Sequence, residues 1–145
     1  MFNTLLTILI GITGGLAVGV QSPISGQMGQ RVGGAASSFI VHFSGMLLSG
    51  LYLVFQGGAR VRDWLSLPWY MLGSGVFGLI LYLTINYTLP RLGAASMAAL
   101  IITGQLLVGI LVDHFGWFGV AARPLDLARA GGALLLLAGG YLLSR

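Results

Sequence analysis

Apolar segments without a charged residue follow one another along the chain, separated by arginines and short polar stretches. These segments are residues 1–30, 32–59, 64–90, 92–112 and 130–144. An α-helix needs about 20 residues to cross about 30 Å of hydrocarbon, and the first four segments are long enough. The fifth reaches that length with Leu125, Leu127 and Ala128, because the Arg129 side chain can extend to the interface.

The pattern predicts an all-α integral membrane protein with a single transmembrane domain, residues 1–145. Turn signals support this division, since Gly33-Gly34 and Gly57-Gly58 lie between segments and Pro68 and Pro124 lie near helix starts. The five transmembrane helices are predicted at about 3–30, 34–56, 68–88, 93–112 and 125–144.

Composition agrees with this class. The chain is 57% hydrophobic and 7% charged, with a mean hydropathy of +0.95, whereas a soluble domain carries about 25% charged residues. The lipid bilayer is therefore the expected surrounding. The seven basic residues, all arginine, do not cluster, which argues against a nucleic-acid partner. Since no cysteine, metal-ligand spacing or catalytic cluster is present, we expect no metal, no cofactor and no enzymatic activity.

The first segment favours a transmembrane helix over a cleaved signal peptide, because no basic residue precedes its long apolar stretch. Its continuation, QSPISGQMGQ at 21–30, leaves two interpretations open. If the helix continues, Gln21 and Ser25 share a face and line a cavity, with Pro23 freeing a backbone carbonyl. Alternatively, an interfacial loop begins after residue 20.

The second and third helices carry polar residues inside the membrane. His42 lies near the middle of helix two, where a histidine either carries protons or is hydrogen-bonded between helices. Tyr82 and Asn86 lie one turn apart on helix three. Asn86 is a candidate ligand-binding residue or a contact between helices.

Helix four places Gln105, Gly109 and Asp113 on one stripe. Gln105 is in the middle of the span, so we expect it to face protein or a cavity. A carboxylate at a helix C-terminus is unfavourable without a partner, and Arg123 or Arg129 can supply one for Asp113. The alternatives for Asp113 are a structural ion pair and a role in gating or proton coupling.

Helix one also carries a stripe of small residues, Gly11, Gly15 and Gly19, at the spacing that lets membrane helices approach closely. We expect this stripe to pack against another helix.

Five spans would place the two ends of the chain on opposite sides of the membrane. On this topology four arginines lie on one side (Arg60, Arg62, Arg123 and Arg129) and three on the other (Arg31, Arg91 and Arg145). Four against three is a weak bias, so the protein is expected to insert in both orientations. Two oppositely inserted copies would form an inverted-repeat pair, an architecture of many transporters.

Several motifs resemble the YdcZ-type family of the drug/metabolite transporter (EamA-like) superfamily. In the C-terminal half these are GQLLVGILVDHFGWFG, then RP, then RAGGALLLLAGGYLL, with Gly104-Gln105, Asp113 and Gly116 at matching positions. The N-terminal half is similar at Gln21, Ser25, Phe43 and Gly45 and in GSGVFG at 73–78, although the family often has asparagine where Ser25 stands.

This resemblance implies a five-helix half of a ten-helix inverted-repeat transporter in the bacterial inner membrane. It further implies an antiparallel homodimer or a pair of different chains. The related small multidrug resistance transporters have a glutamate in helix one, and this chain has none.

We therefore expect a secondary-active transporter that moves a small polar or zwitterionic organic molecule as an antiparallel dimer. The predicted substrate-binding residues are Gln21, Ser25, His42, Tyr82, Asn86 and Gln105, and the predicted coupling or gating residues are Asp113 and His42. An accessory subunit, active only with a second, inverted half-transporter, is the alternative. A membrane enzyme or a passive channel is less favoured, since reactive clusters and a continuous polar stripe are absent.

Overall fold

A computed structural model describes residues 2–58 and 60–143, with side chains from Thr4 onward. Every regular element in this part of the chain is helical. The α-helices are α1 (Phe2–Val32), α2 (Gly34–Phe55), α3 (Trp69–Leu72), α4 (Gly75–Phe115) and α5 (Leu127–Leu143). Two short 3₁₀ segments, Val61–Ser66 and Trp117–Gly119, lie in the connections.

The apolar helices have the length that a bilayer requires. Three stretches, Thr4–Val32, Gly34–Phe55 and Trp69–Phe115, are long and apolar enough to cross a membrane, and α5 is apolar but has 17 residues. Most of their large apolar side chains are exposed in the single chain, as expected where lipid is the solvent. The prediction of an all-α membrane protein is confirmed.

Helix α4 combines most of the third predicted helix with the fourth. Its 41 residues would span about 60 Å at about 1.5 Å per residue, twice the thickness of the hydrocarbon core. Gly93 interrupts it with φ 76° and ψ 171°, a conformation that glycine alone adopts easily. We call the two parts the first segment (75–92) and the second segment (94–115).

The third predicted helix, about 68–88, is interrupted in the structure. Pro68 does begin a helix, but that helix is the single turn α3, which ends at Leu72. The chain turns at Gly73 and Ser74 before α4 begins at Gly75. The two glycines in Gly73-Ser74-Gly75 are weak helix formers, which explains why the apolar pattern runs on while the helix does not.

The chain forms two compact units, unit 1 (Met1–Pro90) and unit 2 (Arg91–Arg145). In unit 2, the second segment of α4 packs against α5 through small residues. The Ser96 hydroxyl donates to the carbonyl of Leu143, and a Cβ on Gly140 would lie 3.2 Å from Thr103 Oγ1. The single domain expected for residues 1–145 stays a prediction.

Unit 1 is held by the C-terminal half of α1, the start of α2 and the first segment of α4. Its buried residues are mostly serines and large side chains of α4, namely Ser22, Ser25, Ser37, Ser38, Tyr82, Ile85 and Leu89. Close approach occurs at two glycines of α1, because Gly26 lies against Leu89 and Gly29 lies against Asn86.

The glycine stripe on the N-terminal half of α1 makes no such approach. A Cβ added to Gly11, Gly15 or Gly19 would meet no described atom within 4 Å outside the helix's own nearby backbone. The expected packing role of these three residues therefore stays a prediction.

Proline in α4 adds a polar link to α1. Pro90 has no N–H, so the carbonyl of Asn86, four residues earlier, loses its helical donor. Gln30 supplies one instead, since its Nε2 donates to Asn86 O at 3.2 Å. This bond joins the C-terminal end of α1 to α4.

We predict that Gly29→Ala destabilises unit 1. The added Cβ would lie 1.3 Å from Asn86 Oδ1, so the helices must separate, which costs about 2 kcal/mol or more. Unfolding by SDS in mixed micelles measures this loss.

Gly15→Ala, on the same helix with open space around it, is the matched control and should change the free energy of unfolding little. The double variant Gly29→Ala/Asn86→Ala should recover most of the loss, because the amide no longer occupies the space. Equal effects of Gly29→Ala and Gly15→Ala would contradict the contact.

Candidate functional site

A cavity of about 400 Å³ lies inside unit 1, between α1, α2 and the first segment of α4. We call it the unit 1 cavity. No Asp or Arg is among the described residues that line it. Its lining is Val18, Gln21, Ser22, Ser25, Val41, His42, Gly45, Gly78, Leu81, Tyr82 and Ile85.

Helix α1 forms one wall of this cavity. The helix continues to Val32 through Pro23, so the helical interpretation of residues 21–30 is confirmed and the interfacial loop is wrong. Pro23 removes the donor that would pair with the carbonyl of residue 19. One residue earlier, Ser22 donates its hydroxyl to Val18 O at 2.8 Å. Gln21 is exposed and Ser25 is buried.

Helix α2 contributes His42, whose two ring nitrogens have different surroundings. Nδ1 lies 2.7 Å from the carbonyl oxygen of Ser38 and 3.4 Å from the Ser38 hydroxyl. Because a carbonyl oxygen only accepts, Nδ1 carries the hydrogen and donates it. Nε2 points towards Gly78, where an added Cβ would lie 3.2 Å away.

Helix α4 contributes Tyr82, which is 5% exposed. Its hydroxyl donates to Ser25 O at 3.1 Å, and its ring centroid lies 6.1 Å from that of His42. Tyr82 therefore connects the walls formed by α1 and α2.

Asn86 lies one turn beyond Tyr82 and does not line the cavity. Its Nδ2 donates to Tyr82 O at 2.9 Å. Its Oδ1 is buried against Gly29 without a hydrogen-bond partner. This placement corresponds to the helix-contact alternative, and a role of Asn86 in substrate binding stays a prediction.

Unit 2 has a groove of its own, of about 540 Å³, which we call the unit 2 groove. Gln105, Gly109 and Asp113 line it from α4, at the spacing expected from the sequence, and Arg129 lines it from α5. The remaining lining residues are Ile102, Leu106, Ile110, Gly132, Ala133 and Leu136.

Asp113, a carboxylate near the C-terminus of α4, has the arginine partner expected from the sequence. Arg129 Nη2 lies 2.9 Å from Asp113 Oδ2, and each side chain is about one-third exposed (34% and 32%). Of the two candidate partners, Arg129 forms the ion pair. The Arg123 side chain is not needed for it, although the Arg123 backbone N–H donates to Asp113 O at 2.6 Å.

The same residues fix the connection between α4 and α5. Arg129 Nη1 donates to Arg123 O at 3.0 Å, and His114 Nδ1 accepts from the N–H of Leu125 at 3.2 Å. Asp126 caps α5, since its Oδ1 accepts from Arg129 N at 2.8 Å. The loop is thus held by its own polar groups.

The structure therefore brings together four of the predicted substrate-binding residues, namely Gln21, Ser25, His42 and Tyr82. Gln105 and Asp113 belong to unit 2. Sequence reasoning missed Ser22 and Gly78 in the cavity lining. Ser22 follows Val18 by four residues and precedes Ser25 by three, so helical spacing could have found it. Gly78 precedes Tyr82 by four residues and lies on the same side of the helix, but its place in the lining is revealed by its closeness to His42. The described residues contain no group of three His or Asp that could hold a metal ion.

Comparison with protein families gives a match over residues 6–142 to the model whose description reads "Putative inner membrane exporter, YdcZ". The chain belongs to the YdcZ family. Neither the curated proteins nor the solved structures searched contain a match to it.

Membership of the YdcZ family makes the chain a multi-pass protein of the inner membrane, in agreement with its membrane-length helices. The family's description as an exporter also supports a role in transport. The resemblance inferred from the motifs is thus confirmed over nearly the whole chain.

We predict that Arg129→Ala loosens the loop between α4 and α5. Removing the guanidinium eliminates the bonds to Asp113 and to the Arg123 carbonyl, so elastase should cleave more rapidly after Ala121, which lies exposed in this loop. Mass spectrometry of the fragment ending at residue 121 measures the rate. Arg62→Ala, on the exposed Val61–Ser66 segment, is the control. Unchanged cleavage in Arg129→Ala would contradict a structural role for the ion pair.

Proposed function

We propose that this chain is a subunit of a secondary-active exporter whose unit 1 cavity binds a small polar or zwitterionic organic molecule. The observation that carries the proposal is the cavity itself. It places Gln21, Ser25, His42 and Tyr82 around one space of about 400 Å³ between apolar helices. Ligand sites are typically concave, mostly apolar and equipped with a few converging polar groups.

The composition of the lining favours this substrate class. Its hydroxyl, amide and imidazole groups donate and accept hydrogen bonds, and no carboxylate is among its described residues, so a cation without N–H donors has no partner there. Asn86 and Gln105 remain candidate binding residues, and Asp113 and His42 remain candidate coupling residues.

We further propose that two copies of the chain assemble in antiparallel orientation. The nearly balanced arginines support insertion in both directions, and inverted pairs are the arrangement through which many transporters alternate access. The exposed small-residue stripe at Gly11, Gly15 and Gly19 is available for contact between copies. The alternative remains an accessory subunit that works only with a second, inverted half-transporter.

Filling the unit 1 cavity should abolish export. Gly45 lines the cavity, and a Cβ added there would meet no described atom within 4 Å, so Gly45→Leu would extend a side chain into the ligand volume. Proteoliposomes preloaded with a panel of small amines, amino alcohols and amino acids, and analysed by mass spectrometry, measure efflux.

We expect the unmodified chain to release at least one panel member faster than protein-free liposomes do, and Gly45→Leu to release it at the protein-free rate. Gly50→Leu, on the same helix outside the cavity and also in open space, should keep the efflux. Undiminished efflux from Gly45→Leu would refute the assignment of the cavity.

Dual insertion is tested by labelling a single cysteine, since the chain has none. Ala121 lies exposed in the loop between α4 and α5. An impermeant thiol reagent should label about half of Ala121→Cys in intact cells and all of it after permeabilisation.

Leu135→Cys, in the middle of α5, should stay unlabelled in both conditions and controls for non-specific labelling. Labelling of Ala121→Cys from one side only would exclude an antiparallel homodimer. An inverted partner chain would then be required.

A further inference from the structure

The hydrogen bonds around the unit 1 cavity use up most of its side-chain donors. Ser22 donates to Val18 O, Tyr82 donates to Ser25 O, and His42 donates from Nδ1 to Ser38 O. Each of these donors is directed at a backbone carbonyl, so none of the three is free for a ligand.

The lone pairs of the same groups remain. The hydroxyl oxygens of Ser22 and Tyr82 can each still accept, and neutral His42 has an unprotonated Nε2 because its hydrogen is on Nδ1. Gln21 and Ser25 add groups that both donate and accept. The lining therefore presents more free hydrogen-bond acceptors than free donors.

Nε2 of His42 is the strongest of these acceptors and the most closely placed. It lies beside Gly78, which has no side chain to cover it, and both residues line the cavity. The hydrogen bond from Nδ1 to the Ser38 carbonyl fixes the orientation of the ring, so Nε2 is preorganised for a ligand.

From this arrangement we infer that the unit 1 cavity selects organic molecules that carry N–H or O–H donors, foremost primary amines, and that His42 Nε2 binds either such a donor or a proton. This inference rests on the proposed function and names the substrate class of its site. A quaternary ammonium of similar size has no donor and leaves the acceptors unpaired, which weakens binding.

Protonation reverses the character of the site. A proton taken from water onto Nε2 turns this atom into a donor and adds a positive charge, so a protonated amine loses its acceptor and is repelled. No charged group among the described residues that face His42 takes part in this competition between proton and amine for Nε2. Among the described residues that face His42, Tyr82 is the titratable group from α4, α1 contributes the neutral Gln21, Ser22 and Ser25, and α2 contributes Ser38. Ligand and proton would then alternate at one atom, as exchange transport requires.

The tautomer of His42 is tested by ¹⁵N NMR of histidine-labelled protein in nanodiscs at alkaline pH. The chain has two histidines, and the second provides an internal reference. His114 Nδ1 accepts a hydrogen bond from Leu125 N, so its neutral form carries the hydrogen on Nε2.

We therefore expect opposite tautomers, with His42 protonated at Nδ1 and His114 at Nε2. The variant His114→Gln assigns the signals. Finding His42 protonated at Nε2 would overturn the inference.

Ligand selection is tested on the same samples with benzylammonium and benzyltrimethylammonium, which share a ring and differ in their N–H donors. Benzylammonium should perturb the Nε2 signal and bind about tenfold or more tightly than the trimethyl probe, and lowering the pH should weaken its binding. Equal affinities, or binding that strengthens as His42 becomes protonated, would overturn the inference.

Gly78→Ala should weaken benzylammonium binding about tenfold, because its methyl group would lie 3.2 Å from Nε2. Gly75→Ala, one turn away on the same helix in open space, should bind like the unmodified chain. Equal affinities of the two variants would count against Nε2 as the ligand atom.

These measurements need no transport and can fail independently of the proposed function. Protein that binds benzylammonium as expected, in a chain that releases no panel member from liposomes, would refute export and leave the site standing. Efflux from a chain that binds benzylammonium and benzyltrimethylammonium equally would support export and refute the inferred selectivity.

Discussion

Unit 1 depends on the close approach of α1 to the first segment of α4 at Gly26 and Gly29. A side chain at Gly29 would collide with the Asn86 amide, so only glycine allows the two helices to reach this distance. The Tyr82–Ser25 and Gln30–Asn86 hydrogen bonds both span the same contact. If the helices separated by the width of a methyl group, both bonds would lengthen, and the wall that positions Tyr82 would lose its support.

Much of this fold was predictable from the sequence, because membrane spans are determined by apolar length and by the places where charge interrupts it. The bounds of α1, α2 and α5 differ from the prediction by a few residues. The single-turn α3 was not predictable, since Gly73-Ser74-Gly75 interrupts the helix without interrupting the apolar pattern. The break at Gly93 was expected only as a boundary between spans, whereas the chain stays helical on both sides of that one residue.

The site was predictable to the extent that polar residues at helical spacing converge on a cavity. Gln21, Ser25, His42 and Tyr82 were identified in this way, and the Asp113–Arg129 pair followed from the cost of an unpartnered carboxylate at a helix end. Spacing could not show which of several glycines makes a contact. The stripe at Gly11, Gly15 and Gly19 matches the packing motif and meets no neighbour, while Gly29 meets Asn86. Contact depends on the partner helix, whose face the local pattern does not specify.

Two parts of helix α1 have different roles, one in packing against α4 and one in lining the cavity. The turns after Pro23 bear the packed glycines, whereas Val18 and Gln21, in the turns before it, line the cavity with exposed side chains. Replacing a packed glycine would disturb the helix contact, whereas replacing Val18 or Gln21 would change the lining of the cavity. On the proposed function, substitutions in the earlier turns change which molecule the cavity binds while the packed glycines keep the two helices in contact.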